Sequence, residues 1–397
     1  MAKKSVEEAA IETVEKGSAK LPALAPTGAL EKLEEIINKE FGTNSIFMPK
    51  KVTPIFKLDR VSTGNLYLDL DLGGGLATGR IHLITGPFSS GKTYLAMKIA
   101  AQFTQRKQRV CIIDAEFTFD PSWAVACGVD MDYVYLVGKQ EQETVIDIVE
   151  LLVASGEFAL IILDSLAALI PTKLKEEQAD KAEMGRGAYL NNRMFKKILA
   201  QQSDAALAGK QVATLIVINQ WRKKVNSMGN PNILPGGEGQ YYYASTWIDF
   251  WAEETILDGK EHVVGMKFGY HTRKNKTAPP RRSGFVSMFM EPYNGMSKGD
   301  WDSLGAVIDV ATLTGVFKKS GTWYSSPVLG KSFQFTNLWK RLYADVDLEM
   351  KVVKTIQERL PEMDFKYQPQ ERKIEVVKDS QPEIEMAVSE DGVAEMG

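Results

Sequence analysis

Cysteine is scarce: Cys111 and Cys127 are the only two in 397 residues. They support neither a disulfide scaffold nor a metal-binding spacing, and they fit a reducing compartment, the cytoplasm. Long apolar runs are missing as well. The longest, residues 158–170, is interrupted by Asp164 and Ser165 and falls short of the ~18 residues of a membrane span, so no membrane partner is expected. Lys3 and Lys4 are followed by Glu7 and Glu8 rather than by an apolar stretch, unlike a secretory leader. No sign of charge prevails either: 48 Lys and Arg against 51 Asp and Glu leave a net −3. Any surface for a polyanion must therefore come from local placement of charge. At 44% apolar and 25% charged residues the composition is that of an ordinary globular protein, which excludes a disordered or collagen-like chain.

Residues 1–28 are expected to be a flexible extension, because two prolines and a glycine between 21 and 28 interrupt any helix. Leu30, Leu33, Ile37 and Phe41 recur at helical spacing and Gly42 offers a left-handed stop, so residues 29–58 should carry one amphipathic helix. Over residues 59–297 buried strands alternate with helices. The runs 81–85, Val110–Asp114, Leu160–Asp164 and 215–219 are apolar without alternation, as strands covered on both faces are. Helical faces lie between them, such as Leu95, Ile99 and Phe103, or Leu190, Met194 and Ile198. This order predicts an α/β fold with a mostly parallel, doubly wound sheet. Runs 247–251, 263–270 and 285–290 follow without helices and are expected as an antiparallel extension. Residues 298–370 predict a small α+β domain, with Val307, Ile308 and Ala311 on one helix stopped at Gly315, and Val352, Ile356 and Leu360 on another before Pro361. Residues 371–397 are expected to be an acidic, disordered tail.

Gly86-Pro87-Phe88-Ser89-Ser90-Gly91-Lys92-Thr93 matches G-x-x-x-x-G-K-[ST] between a strand and a helix. The glycines let the loop curl so that its amides face phosphate oxygens, aided by the helix N-terminus. Lys92 is placed to reach the β- and γ-phosphates of ATP and Thr93 to meet Mg²⁺; Tyr94 completes the candidate cofactor stretch. Asp164, at the carboxyl end of a buried strand, is a second metal candidate, acting through water; the lesser alternative is a cap for the next segment. Glu116 lies past the strand 110–114 on the same rim, where a carboxylate can orient water towards a γ-phosphate. The lesser alternative for Glu116 is a surface charge.

The chain resembles the bacterial-type RecA recombinases over about residues 29–330. The likeness is carried in order by Ser62-Thr63-Gly64, Leu68-Asp69, the loop 86–93, Asp114-Ala115-Glu116, Asp120-Pro121, Gly128-Val129-Asp130 and Asp164-Ser165-Leu166. It continues through Asn219-Gln220, Gly229-Asn230-Pro231, Gly236-Gly237, Tyr243-Ala244-Ser245, Lys274-Asn275-Lys276 and Trp323-Tyr324-Ser325. The resemblance implies a RecA-like P-loop ATPase core with an N-terminal oligomerisation arm and a small C-terminal domain. It implies a DNA-dependent ATPase that forms filaments on single-stranded DNA and catalyses homologous pairing and strand exchange in recombination and repair. Glu116 would activate the hydrolytic water, with Lys92 on the phosphates and Gln220 sensing the γ-phosphate. Asp120 would lie near the adenine and Trp123 stack on it. Lys274 and Lys276 would reach a neighbouring subunit's ATP, building a helical self-assembly.

Two DNA-binding loops are implied. The first centres on Met184, Gly185 and Arg186, with Arg193 and Lys196 one and two turns beyond Tyr189. The second runs from Trp221 through Arg222, Lys223, Lys224 and Val225 to Gly236 and Gly237, and no acidic residue occurs from 209 to 237. Local positive charge of this kind gives salt-sensitive affinity for single strands; Met184 and Val225 match positions that wedge between base steps. There are departures. Phe88 replaces a usual acidic residue and Tyr189 a usual arginine. Trp251, Ala252, Gly269 and His271 stand where basic residues serve the family's second, duplex DNA site, leaving Arg273 nearby and Arg281 and Arg282 as candidate substitutes. Double-stranded DNA is therefore the less secure partner, and a protein that coats single strands and recruits others shares the rest of the pattern. The acidic tail is expected to compete with DNA for the basic loops.

Overall fold

The computed structural model describes residues 28–42, 45–47, 58–172, 181–223, 232–361, 363, 367 and 369. They divide into two units at Lys57/Leu58. In the first, α1 (Gly28–Phe41) stops at Gly42, whose φ of +105° is the left-handed cap expected there. Asn38 closes the turn beyond it, donating to the Ile46 carbonyl at 2.9 Å and accepting from the Ile46 amide at 3.1 Å. Leu30, Leu33, Ile36 and Phe41 are exposed.

The second unit opens with β1 (Arg60–Val61), α2 (Leu66–Asp71) and β2 (Leu76–Ala77), the two strands pairing antiparallel. Here Ser62-Thr63 and Asp69 form one buried turn. The Asp69 carboxylate accepts from the Ser62 hydroxyl at 2.5 Å and from the Thr63 amide and hydroxyl, each at 2.7 Å. Burial pushes its pKa up to about 6 in spite of those bonds.

The main sheet is laid down by β3 (Ile81–Gly86), α3 (Lys92–Thr104), β4 (Val110–Asp114), α4 (Pro121–Ala126), β5 (Val134–Val137), α5 (Gln142–Ser155) and β6 (Leu160–Asp164). Next come α6 (Lys181–Leu207), β7 (Thr214–Gln220), the short pair β8 (Arg222–Lys223) and β9 (Asn232–Ile233), and α7 (Gly239–Tyr243). Then β10 (Thr246–Leu257), β11 (Val263–Asn275) and β12 (Ser283–Phe289) follow. The strand order is β12-β11-β10-β3-β7-β6-β4-β5. Alternate residues serve opposite faces: Leu160 and Ile162 meet α3, whereas Ile161 and Leu163 meet α5 and α6. Each such side chain contributes about 1.5–3 kcal/mol on burial, which is why these strands carry no polar alternation.

Two features differ from the sequence expectation. Run 247–251 is not purely antiparallel: Thr246–Asp249 lie parallel to β3, and the direction changes only between β10 and β11. The edge strand β5, only four residues long, is absent from the sequence expectation, and its Tyr135 and Leu136 are both 52% exposed.

The C-terminal part comprises α8 (Ser303–Leu313), the three-stranded β13 (Lys318–Ser320), β14 (Trp323–Ser325) and β15 (Phe333–Gln334), then α9 (Phe335–Ala344) and α10 (Val346–Arg359). Asp302 caps α8, accepting from the Gly305 amide at 2.9 Å, and Gly315 ends it with φ +71°. Val307, Phe317, Leu338, Leu342, Val353 and Ile356 form its core, which Leu66 of α2 joins. Trp301 still belongs to the main core. Among the described residues no helix is long and apolar enough to cross a membrane.

Candidate nucleotide site and the surfaces beside it

The two glycines of the phosphate loop are needed even without a phosphate. A Cβ at Gly86 would lie 2.0 Å from the Phe250 carbonyl oxygen. Gly91, at φ +80°, would put one 2.7 Å from the Phe268 ring. Lys92 opens α3 and is 6% exposed. Its ammonium donates to the Pro87 carbonyl at 2.6 Å and the Ser90 hydroxyl at 3.3 Å, so the loop's own oxygens hold the cation. Burial lowers its pKa, and Asp164, Glu116 and Asp249 oppose that shift. Phe88, at 84% exposure, projects from the loop.

Four adjacent strand ends converge here. The Thr93 hydroxyl donates to Asp164 at 2.6 Å, and burial raises that carboxyl to about pKa 6. The turn after β4 is fixed by Asp114, which accepts from the Thr118 and Phe119 amides at 3.2 and 2.9 Å, and by Gln140, which donates to the Ala115 carbonyl at 2.6 Å. That turn presents Glu116, half-buried, to the ends of β6 and β7. Its Oε1 accepts from the Ser165 hydroxyl at 2.6 Å and from the Gln220 amide at 2.8 Å. Glu116 is thus no loose surface charge. Ser165 was missed as a partner of Glu116; its only signal was its place after Asp164. The neighbouring Asn219 is fully buried and donates to the Pro235 carbonyl at 2.8 Å and to Gln240 at 2.7 Å.

Tyr94 departs from expectation. One residue along the helix from Thr93 it has turned by about 100° into the core; it is 3% exposed, edge-on to Trp301 at 4.6 Å, and its hydroxyl donates to the Gly299 carbonyl at 3.1 Å. Only its backbone remains for a nucleotide. Asp120 caps α4, accepting from the Ser122 and Trp123 amides at 2.8 and 3.3 Å. Trp123 lies 5.9 Å from the Tyr94 ring and under the Lys298 ammonium at 5.7 Å. Lys274 and Lys276 are remote from the loop of their own chain. The Lys276 amide bonds Ser245, whose amide bonds Ile81 at the start of β3. That places Lys276 roughly 16 Å below Gly86 along the strand direction and two strands aside. Both ammonium groups donate to α7 carbonyls, Lys274 to Tyr241 at 2.6 Å and Lys276 to Tyr242 at 3.4 Å.

Comparison with known proteins decides the family. The RecA N-terminal domain matches residues 28–294. A protein named Protein RecA from Cereibacter sphaeroides is 37% identical over 301 residues, covering 75% of this chain and 83% of the relative. Another, from Clostridium acetobutylicum, is 34% identical over 368 residues, covering 89% and 97%. The chain belongs to the RecA family. It is a recombinase, a DNA-dependent ATPase of recombination and repair that binds ATP.

Around this RecA-type centre the expected DNA residues fare unevenly. The first loop is not a loop where described: Met184, Gly185 and Arg186 fall in the opening turns of α6, which runs 27 residues from Lys181. The helix persists through Gly187, whose carbonyl accepts from Gln142 at 2.9 Å, while Arg186 pairs with Glu143 at 3.5 Å. Arg186, Tyr189, Arg193 and Lys196 follow at three- and four-residue steps and share one face; Tyr189, Arg193 and Lys196 are exposed. In the second loop Arg222 and Lys223 pair with Ile233 and Asn232 as a short ribbon; Lys224 and Val225 lie outside the described residues. Gly236 and Gly237, at φ +93° and +83°, press against α6, where a Cβ on Gly237 would meet that of Ala188 at 2.7 Å. The positions of the duplex site are filled differently. Trp251 lies on Gly269, where a Cβ would come within 2.3 Å of the indole. His271 meets Ser283 at 2.7 Å, and Arg273 is held by Asp249 at 2.6 Å.

Proposed function

We propose that this RecA-family chain binds ATP and Mg²⁺ where two protomers meet. It assembles head to tail into a helical filament on single-stranded DNA in the cytoplasm, and pairs that strand with homologous duplex. The contact that carries this reading is Gln220 to Glu116 at 2.8 Å, which links the group able to activate water to the root of a cationic ribbon. When the Gln220 amide turns to a γ-phosphate oxygen, Glu116 is left to accept the proton of an attacking water in line with the phosphorus. Lys92 and the loop amides hold the β- and γ-phosphate oxygens. Thr93 and Asp164, 2.6 Å apart, fit Mg²⁺, which takes one or two protein oxygens and otherwise water and phosphate. The ion would withdraw charge from the phosphate oxygens. Asp120 and Trp123 would receive the adenine.

Lys274 and Lys276, too far from their own loop, serve the neighbour's nucleotide, and the exposed apolar stripe of α1 covers an adjacent protomer. The face formed by Arg186, Arg193 and Lys196 and the ribbon beginning at Arg222 neutralise strand phosphates. Arg281 and Arg282, both exposed, stand in for the missing duplex-site cations.

Strand exchange between a circular single strand and a linear duplex, paired with negative-stain images, tests the reading. Filaments on the single strand with a slowly hydrolysed ATP analogue, and joint molecules with ATP, are expected. A chain that stays monomeric with both nucleotide and oligonucleotide sinks it. The replaced cations around Trp251 and Gly269 favour one alternative, a coating protein without exchange activity, which filaments lacking joint molecules would establish.

A further inference from the structure

Next to Gln220, Trp221 points to the opposite side of β7 and is fastened twice. Its backbone amide donates to the carbonyl of Gly86, the first residue of the phosphate loop, at 3.1 Å. Its indole N–H donates to Asp249 Oδ1 at 2.6 Å. The same carboxylate oxygen accepts from the Thr85 hydroxyl at 2.8 Å, one residue before the loop. The other oxygen receives Arg273 through Nε at 2.9 Å and Nη2 at 2.6 Å. The Arg273 guanidinium in turn lies 5.2 Å from the Trp221 ring and 5.4 Å from that of Trp247. Trp247 stacks on Tyr241 at 4.8 Å and donates to the Thr85 hydroxyl at 2.7 Å.

An ion pair and three aromatic rings thus gather on the two residues that lead into the phosphate loop, Thr85 and Gly86, and on the residue that leads out to the ribbon. Asp249 is only 8% exposed, and the desolvation of such a carboxylate is offset here by four hydrogen bonds. We infer that Trp221 is a positioning residue, the clamped joint that turns a reorientation of Gln220 into movement of the ribbon at Arg222 and Lys223. A strand end pinned at Gly86 and Asp249 cannot absorb the swing of its neighbour by twisting. With the clamp loosened, the swing dissipates at the joint. The inference rests on the reading that Gln220 answers to the γ-phosphate and that the ribbon meets DNA.

The test is the ratio of affinities of the full chain for a fluorescent oligo-dT in a slowly hydrolysed ATP analogue and in ADP. The parent binds more tightly with the analogue. Trp221→Phe keeps a ring but loses the N–H; Asp249→Asn breaks the pair with Arg273. In both, the ratio falls by roughly tenfold, about 1.4 kcal/mol of coupling. Asp249→Asn keeps its affinity for a fluorescent ATP analogue within about twofold, since it touches no phosphate group. A clamp that only stabilises the fold would lower the melting temperature of both variants and leave the ratio intact, which overturns the inference while the functional reading stands. A parent whose affinity ignores the nucleotide overturns both. Trp221→Phe, at a half-buried position, keeps the test decisive should Asp249→Asn fail to fold.

Discussion

The parallel and antiparallel halves of the sheet hold their important side chains by different means. Across β3, β7, β6 and β4 the rim is a line of directed hydrogen bonds, from Lys92 and Thr93 through Asp164 and Ser165 to Glu116 and Gln220. Across β10 to β12, beyond the bonded Asp249–Arg273 pair, the surface relies more on packing, with the Trp251 indole over the bare Gly269 backbone and Lys267 above the Phe285 ring at 4.6 Å. A bonded rim fails when one donor or charge is lost. A packed surface fails when a volume changes. The departures from the family pattern follow the same division: Trp251, Ala252, Gly269 and His271 all lie on β10 and β11. On the parallel half the main substitution, Phe88, points away from the rim bonds.

The sharpest way to break this contrast is at Lys92. Lys92→Ala removes the buried ammonium while sparing the fold, and nucleotide affinity, read by fluorescent ATP titration, drops by about 1,000-fold or more. Next in size, Glu116→Gln retains nucleotide and DNA binding, whereas turnover on single-stranded DNA falls on the order of 100- to 1,000-fold; normal hydrolysis by this variant would reassign the base. Neutralising Arg222, Lys223 and Lys224 together lowers the slope of log affinity against log salt by about 2 units, at ~0.7 per phosphate contact. An unchanged slope moves the strand elsewhere. The smallest effect belongs to the packed half. Gly269→Ala collides with Trp251 and costs about 1–3 kcal/mol in denaturant unfolding, most of it recovered when Trp251→Leu makes room. ATP turnover per folded chain stays unaltered.

Much of the parallel half could be read from residues alone, because its signals are local. The strands Val110–Asp114 and Leu160–Asp164 appear with the expected limits, since a run buried on both faces has no other pattern. The loop 86–93, Glu116 and Gln220 all meet at one rim. Illegible were contacts made between distant strands. Nothing near Trp221 in sequence announces Asp249, 28 residues on, or Arg273, 24 beyond that. For Tyr94 the motif gives spacing and not the direction in which the side chain turns, which is into the core. The family resemblance implies a loop at residues 184–186, yet α6 continues through them, with Gly187 and Arg186 anchored on α5. The edge strand β5 is only four residues long, with Tyr135 and Leu136 exposed, and leaves little pattern; helix α9, with Leu338 and Leu342 fully buried on one face, has a helical period that was there to be read.

The register that sets Lys274 and Lys276 at the opposite end of the sheet from Gly86 makes each molecule an arrow. Joined tip to tail as proposed, a row of them would end in one triphosphate cradle that no neighbour completes and, at the other end, in a pair of lysines that reach no neighbour's nucleotide. The terminal protomers are therefore chemically unlike. On the proposed assembly, a row capped in this way would gain and shed subunits at unequal rates from its two ends, so its growth along a strand would have a direction before any base is paired.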